Sequence, residues 1–313
     1  MPAEQPLEVA VGVVLNAAGE VLVAWRSANR HQGGCWEFPG GKIEAHEEPT
    51  AALARELNEE LGIQPLDLEP LIRLPYDYAD RGVVLDVYCV RAWQGEPHGV
   101  EGQALRWVLP NELEQQDFPA ANAAIITALC LPMHYVISPD APESDAWLAR
   151  LDATLARGER LVQLRIRGDY SHRLQLAREA LSRCRQYKAQ LLINADFRLA
   201  GQIGADGVHL NSRQLAQGVG RPADFTGWLA ASCHNDVDLQ RAADCRADFA
   251  VLSPVAATAS HPDATPLGWL QWARWVAQAR LPVYALGGMR PSDGALARRH
   301  GGQGIAAISG LWG

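Results

Sequence analysis

The stretch that decides the reading runs from Pro39 to Ile63: Pro39-Gly40-Gly41-Lys42, then Glu47, then Arg55-Glu56-Leu57-Asn58-Glu59-Glu60-Leu61-Gly62-Ile63. Leu53, Leu57 and Leu61 recur at spacing four, which predicts an amphipathic helix over 50–61 with Pro49 at its start and Gly62 just past its end. Glu56, Glu59 and Glu60 stand at i, i+3 and i+4. Their carboxylates project from one face while the leucines hold the opposite side in a core. Like charges this close repel, and a cation relieves the repulsion. Carboxylate oxygens in a cluster suit Mg²⁺, or Mn²⁺ in its place, which keep several waters and bind substrate phosphates. The glycines ahead of the helix let backbone carbonyls and amides approach such an ion. Arg55 is placed to orient Glu56 or Glu47 by an ion pair. For three glutamates at this spacing alone, a solvated acidic face is the alternative.

Outward from this segment, the chain has 313 residues, enough for two domains, with 48% hydrophobic and 20% charged residues. That composition excludes a disordered chain and a membrane protein. Its 28 Lys+Arg against 36 Asp+Glu leave a net −8, which argues against direct nucleic-acid binding through phosphate attraction. The six cysteines never come closer than twelve positions, so no C-x-x-C pair exists and they read as reduced thiols. The polar N-terminus lacks a basic leader region. The longest apolar stretch, Ala123 to Met133, is too short to span a bilayer, so a cytoplasmic enzyme with no membrane partner is expected.

Charge divides the chain. Residues 1–131 hold 20 acids and 8 bases, whereas 132–313 hold 16 acids and 20 bases. The break falls where a helical pattern, Ala120 to Cys130, meets Pro132, giving expected domains of 1–131 and 132–313. In the first, Leu7–Asn16 and Glu20–Trp25 flank the turn Ala17-Ala18-Gly19 and read as a hairpin, and Val83–Trp93 reads as a further strand. With the helix between them this is an α+β pattern. In the second, short apolar runs fall at 135–137, 162–164, 191–193, 207–210, 229–231, 249–252, 283–286 and 304–308. Helical segments such as Asp145–Arg157 and Ser171–Lys188 lie between most of them. Eight strands alternating with helices predict an α/β barrel of the (β/α)8, TIM type, with its last helix missing or replaced.

The glycine–glutamate–arginine–glutamate frame matches the signature of the Nudix hydrolases at every fixed position, and the chain resembles that family. The resemblance implies a mixed sheet sandwiched by helices and metal-dependent hydrolysis of a nucleoside diphosphate linked to another group. Residues 7–131 are further similar to the MutT branch, the 8-oxo-dGTP diphosphatases, through Val9-Ala10-Val11-Gly12, Glu37 to Glu44, Gly95-Glu96-Pro97, Glu101-Gly102-Gln103 and Asp117 to Asn122. Carried over, it implies Gly40 (through its carbonyl), Glu56, Glu59, Glu60 and Glu101 as metal ligands. Glu56, Glu101 and Arg55 are implied in the chemistry, and Arg26, His31, Glu37, Phe38, Arg81 and Asn122 in nucleotide binding. Which glutamate is the general base stays open, Glu56 first and Glu101 second. Asn122 has a physical rationale. Oxidation at C8 turns guanine N7 from an acceptor into a donor while O6 still accepts, and one side-chain amide supplies both complements. A helix N-cap is its alternative; His31 and Phe38 can equally be packing residues.

From His134 onward the chain resembles the thiamine phosphate synthase/TenI family, on Val162-Gln163-Leu164-Arg165, Ile193-Asn194, Gly204 to Leu210, Ser253-Pro254-Val255, Thr258, Ala285 to Met289 and Ile308-Ser309. This implies ligand roles for Gln163, Arg165, Asn194 and Thr258. Gly287, Gly288 and Ser309 would hold a phosphate. The chain departs from the synthase pattern at four places. Ala195 and Gln214 stand where two metal-binding aspartates are expected, Asp196 comes one place late, and Arg167 and His261 replace lysines. The second domain is therefore expected to be degenerate as a synthase. The expected function is Mg²⁺-dependent cleavage of 8-oxo-dGTP to 8-oxo-dGMP and pyrophosphate, a nucleotide-pool sanitation that avoids mutation. The alternative is a Nudix hydrolase of a thiamine-pathway or other diphosphate, its barrel a thiazole or thiamine phosphate sensor or a TenI-like isomerase.

Overall fold

Strand β1 (Leu7–Val14) is apolar on both faces, and this decides the architecture of the first half. Ala10 and Val14 face one cluster with the leucines of α1 (Pro49–Leu61), and Val11 and Val13 face another with Ile125 and Ile126 of α2 (Ala123–Cys130). The period of two thus places the sheet between two helices. The computed structural model describes residues 6–27, 33–79, 81–140, 144–258 and 263–313, and it divides into two units, Met1–Cys130 and Leu131–Gly313.

The first unit carries β2 (Val21–Arg26), β3 (Cys35–Glu37), β4 (Gly40–Lys42), β5 (Gln64–Pro65), β6 (Glu69–Asp77), β7 (Gly82–Val90), β8 (Trp93–Gln94) and β9 (Leu105–Val108). One sheet runs β4-β1-β7-β6 and is mixed, because β1 and β7 are parallel while the other pairs are antiparallel. A second runs β3-β2-β9, and β5 pairs with β8. This corrects the expected hairpin. β1 and β2 join different sheets, and the pairing between them is confined to the turn, with a bridge between Leu15 and Val21 and the Asn16 N–H on the Glu20 carbonyl at 3.0 Å. The turn signal at 17–19 is local, whereas sheet membership follows from β1 being buried on both sides.

Helix α1 buries Ala52, Leu53, Leu57 and Leu61 completely. Deleting one such leucine side chain costs about 2–5 kcal/mol. At Gly12 of β1 the leucine methyls come so close that a Cβ would lie 3.2 Å from both Leu53 and Leu57, so the helix rests on the strand without a spacer. Gly62 ends the helix in the left-handed region, φ 67°. The predicted helix over Ala120 to Cys130 begins instead as a 3₁₀ turn, Ala120–Asn122, before α2.

The second unit closes eight parallel strands into a barrel: β10 (His134–Ile137), β11 (Leu161–Leu164), β12 (Gln190–Asn194), β13 (Gly207–Leu210), β14 (Trp228–Cys233), β15 (Phe249–Leu252), β16 (Val283–Leu286) and β17 (Gly304–Ala307). Helices α3 (Ser144–Ala156), α4 (Tyr170–Gln186), α5 (Phe197–Ile203), α6 (Ser212–Ala216), α7 (Asp236–Asp244), α8 (Gly268–Val276) and α9 (Gly294–Arg299) connect them. The interior is filled by Tyr135, Phe249 and Tyr284, whose ring centroids lie 5.4–5.7 Å apart, so it is a packed core and not a pore. Among the described residues no helix follows β17. A turn brings the chain against α3 instead: Arg157 donates to the Leu311 carbonyl at 2.9 Å, and Trp312 lies 4.8 Å from Trp147. Among the described residues no helix is long and apolar enough to cross a membrane.

Candidate active site

The acidic face of α1 meets the glycine loop that ends in β4. The Arg55 guanidinium reaches Glu47 through Nε and Nη2 at 3.1 and 3.0 Å, and its Nη1 lies 2.7 Å from Glu56. It also donates to the Lys42 carbonyl at 3.0 Å, which ties helix to loop. Glu60 accepts the Gly40 backbone N–H at 3.1 Å. A Cβ at Gly41 would overlap the Glu56 carboxylate, so the absent side chain is the space in which that carboxylate stands. Glu59 is 58% exposed and 3.5 Å from Arg55 Nη1.

Oxygen donors on one helix face and its flanking loop are the chemistry a hard divalent cation takes, and the cradle at Gly41 accommodates one of them. The residues therefore fit Mg²⁺. They are neighbours rather than an assembled cage. Among the described residues no three carboxylates, histidines or cysteines converge into a ready cluster. Glu56 pairs with Arg55, and Glu60 accepts the Gly40 N–H. Glu101 is exposed on the loop between β8 and β9, its N–H donating to Gln103 at 2.9 Å.

Beside this loop lies a cavity of about 400 Å³ lined by Arg26, Glu37, Phe38, Gly40, Arg81 and Asn122 together. Arg26 and Glu37 form an ion pair there. Phe38 is buried and stacks on Phe118, centroids 5.3 Å apart. Asn122 ends the 3₁₀ turn, its N–H on the Pro119 carbonyl at 2.9 Å. Its side chain makes no hydrogen bond among the described residues, so the capping alternative lacks its bond and the amide is left for the cavity. His31 lies outside the described residues, as does His261 of the second unit. Sequence reasoning missed Tyr78, which lines the same cavity and whose hydroxyl is hydrogen-bonded by the Ala121 backbone. Its signal was the aromatic pair Tyr76 and Tyr78 at a strand's period of two.

The barrel holds a second cavity, of about 570 Å³, at the carboxyl ends of its strands, where this fold keeps its sites. Arg165, Thr258, Gly287, Gly288 and Ser309 line it, with His234 beside them. Gln163 and Asn194 do not; Gln163 Nε2 donates to Asn194 Oδ1 at 2.9 Å, and two amides that satisfy each other have less to offer a ligand. Below them, His209 is wholly buried between the Tyr135 hydroxyl at 2.9 Å and Ser232 Oγ at 2.8 Å, and burial pushes its pKa down to about 3.

Where the synthase pattern requires two aspartates, Gln214 Nε2 donates to the Ala195 carbonyl at 3.1 Å. Asp196 is spent elsewhere: it caps α5 through the Leu199 N–H at 2.9 Å and pairs with Arg173 at 3.2 Å. A methyl, a neutral amide and a committed carboxylate do not fit Mg²⁺, and no step through that ion is assigned to the barrel.

Comparison with known proteins agrees with this division. The NUDIX domain family matches residues 6–129, and the TMP-TENI family, described as thiamine monophosphate synthase, matches 134–311. The 8-oxo-dGTP diphosphatase of Escherichia coli K12 is 42% identical over 123 residues, 39% of this chain and 95% of that protein. The chain belongs to both families. The Nudix unit is also 38% identical over 131 residues to the 8-oxo-dGTP diphosphatase of Haemophilus influenzae, 42% of this chain and 96% of that protein. The TMP-TENI unit is 34% identical over 184 residues to the thiamine-phosphate synthase of Thiobacillus denitrificans, 57% of this chain and 86% of that protein.

Proposed function

We propose that the Nudix unit is a Mg²⁺-dependent pyrophosphohydrolase that cleaves 8-oxo-dGTP with water into 8-oxo-dGMP and pyrophosphate. The observation that carries the reading is the uncommitted Asn122 amide in a cavity that also holds Phe38 and opens on the Gly40–Gly41 loop. Its carbonyl accepts N7–H of the oxidised base and its NH₂ donates to O6. Ordinary dGTP leaves that pattern unmatched, and a site built around a buried hydrogen-bond pattern rejects such a mismatch by up to about 10⁴–10⁵.

Bound Mg²⁺ supplies charge neutralisation on the phosphates and a water of lowered pKa. The chain's residues do the rest. Glu56, Glu59, Glu60 and the Gly40 carbonyl would hold the cation, and Arg55 fixes the rotamer of Glu56 from behind. Glu56 takes the proton of the attacking water, with Glu101 as the second candidate. Arg26 and Arg81 meet the negative charge of the nucleotide.

Steady-state hydrolysis of 8-oxo-dGTP against dGTP, for wild type, Glu56→Gln and Asn122→Ala, tests this. Strong preference for the oxidised nucleotide is expected, with turnover lost in the first variant and preference flattened in the second. Equal, feeble turnover of both nucleotides overturns the substrate and moves the search to thiamine-pathway diphosphates.

For the TMP-TENI unit we infer a phosphate-ligand domain that has lost synthase chemistry, on the strength of the Gln214–Ala195 contact. Formation of thiamine phosphate by the full chain with Mg²⁺ would overturn it.

A further inference from the structure

The last carbonyls of a helix have no partner within it, and at the end of α1 two of them are taken by the loop that bears Glu101. The Leu61 carbonyl accepts the His98 N–H at 3.1 Å, and the Glu60 carbonyl accepts the Val100 N–H, also at 3.1 Å. A second donor reaches the Glu60 carbonyl: Gln103 Nε2, at 2.8 Å. The other end of the same amide, Gln103 Oε1, accepts the backbone N–H of Glu101 at 2.9 Å. One planar group therefore spans from the backbone of Glu60, whose carboxylate faces the glycine loop, to the backbone of Glu101. Gly99 lets the segment come this close, since a Cβ there would overlap the Gln103 backbone carbonyl oxygen and lie 3.0 Å from Gln103 Oε1.

We propose that Gln103 is a positioning residue, which fixes Glu101 relative to the carboxylate row of α1. The inference rests on the metal-dependent reading of the Nudix unit but not on the identity of its base. Only a side chain with a donor and an acceptor at opposite ends makes both contacts. Methionine fills the same length and makes neither. Glutamate keeps the acceptor for the Glu101 N–H but sets a carboxylate against the Glu60 carbonyl; once protonated it regains the donor.

The test uses the full chain carrying Gln103→Met, Gln103→Glu, Glu101→Gln, or Gln103→Met with Glu101→Gln. In Gln103→Met, kcat is expected to fall about tenfold or more with KM within about twofold, and the double variant to be no slower than Glu101→Gln alone. Hydrogen exchange at the Glu101 amide quickens, and Mn²⁺, followed by electron paramagnetic resonance, binds more weakly. In Gln103→Glu, which keeps the acceptor and loses the donor, kcat is expected to fall as well. A kcat within about twofold of wild type, or losses that multiply in the double variant, overturns the proposal. If Gln103→Met fails to fold, hydrogen exchange at the Glu101 amide and Mn²⁺ affinity in Gln103→Glu decide. If wild type hydrolyses no nucleotide, the proposed activity fails, and exchange at Glu101 with Mn²⁺ affinity still decides on Gln103; unchanged values of both overturn its role.

Discussion

Arg55 and Glu47 meet as a two-pronged pair, Nε to Oε1 at 3.1 Å and Nη2 to Oε2 at 3.0 Å. This leaves Nη1 for Glu56, so the arginine holds one carboxylate and aims another. Lysine keeps the charge without the fork. Arg55→Lys is expected to lower kcat about 10–100-fold, the usual cost of losing a group that orients a ligand, with the nucleotide KM little changed. Steady-state kinetics at saturating Mg²⁺ reads the split.

The same pair carries a pH signature. The Arg55 hydrogen bond holds the Glu47 carboxyl below its ordinary value of 4.5, assisted by the Glu44 backbone. A depressed folded pKa contributes stability above the unfolded value and loses it as pH falls through the folded one. Wild type should therefore exceed Glu47→Gln in urea midpoint at pH 7, and the gap should narrow as pH falls below 4.5. A gap that stays constant with pH sinks the assignment.

The two loop glycines separate fold from chemistry. At Gly41 the atoms nearest an added methyl all belong to the Glu56 carboxylate, the far end of a side chain, so Gly41→Ala should fold normally and lose turnover. Gly40 stands at φ 144°, and a Cβ there would strike the Ala10 carbonyl of β1. Gly40→Ala should lower the melting temperature as well. Circular dichroism melts beside kinetics distinguish the two.

Much of this architecture was legible because burial leaves a pattern. Each barrel strand is covered on both faces, so Gly207–Leu210, Phe249–Leu252 and Val283–Leu286 appear as plain apolar runs. The α1 leucines did the same for the helix. The hairpin was misread because a turn at 17–19 shows where the chain bends but not which neighbour each strand takes. Arg26, Glu37, Phe38 and Asn122 share a cavity although as many as 96 positions separate them, and only the resemblance had connected them. What stayed hidden was the pairing of side chains across elements. Gln163 with Asn194, Gln214 with the Ala195 carbonyl, and Gln103 with Glu60 depend on distances that no spacing rule encodes.

Inside the barrel, burial holds His209 at about 3 against an ordinary 6.5. The unfolded chain takes up this proton as pH drops below 6.5 while the folded one does not until about 3, so acid weakens the fold across that window. His209→Gln keeps polar reach toward Tyr135 and Ser232 and removes the titration. Its urea midpoint should fall less than that of wild type between pH 7 and about pH 4.5. Parallel profiles would show that His209 is already charged in the folded barrel.

At Gly12 a single hydrogen atom sets the height of α1 above β1, with Leu53 and Leu57 resting on it. A methyl in its place would press on both leucines by a few tenths of an ångström, and a helix that yielded as a body would carry Glu56, Glu59 and Glu60 with it. The reach of the acid row toward a phosphate is thus calibrated on the far side of the helix, by a residue that touches neither cation nor nucleotide. Gain or loss of catalytic power can therefore enter through the leucine face. Compensating changes for a misplaced glutamate are to be sought there, in the thickness of the packing under it.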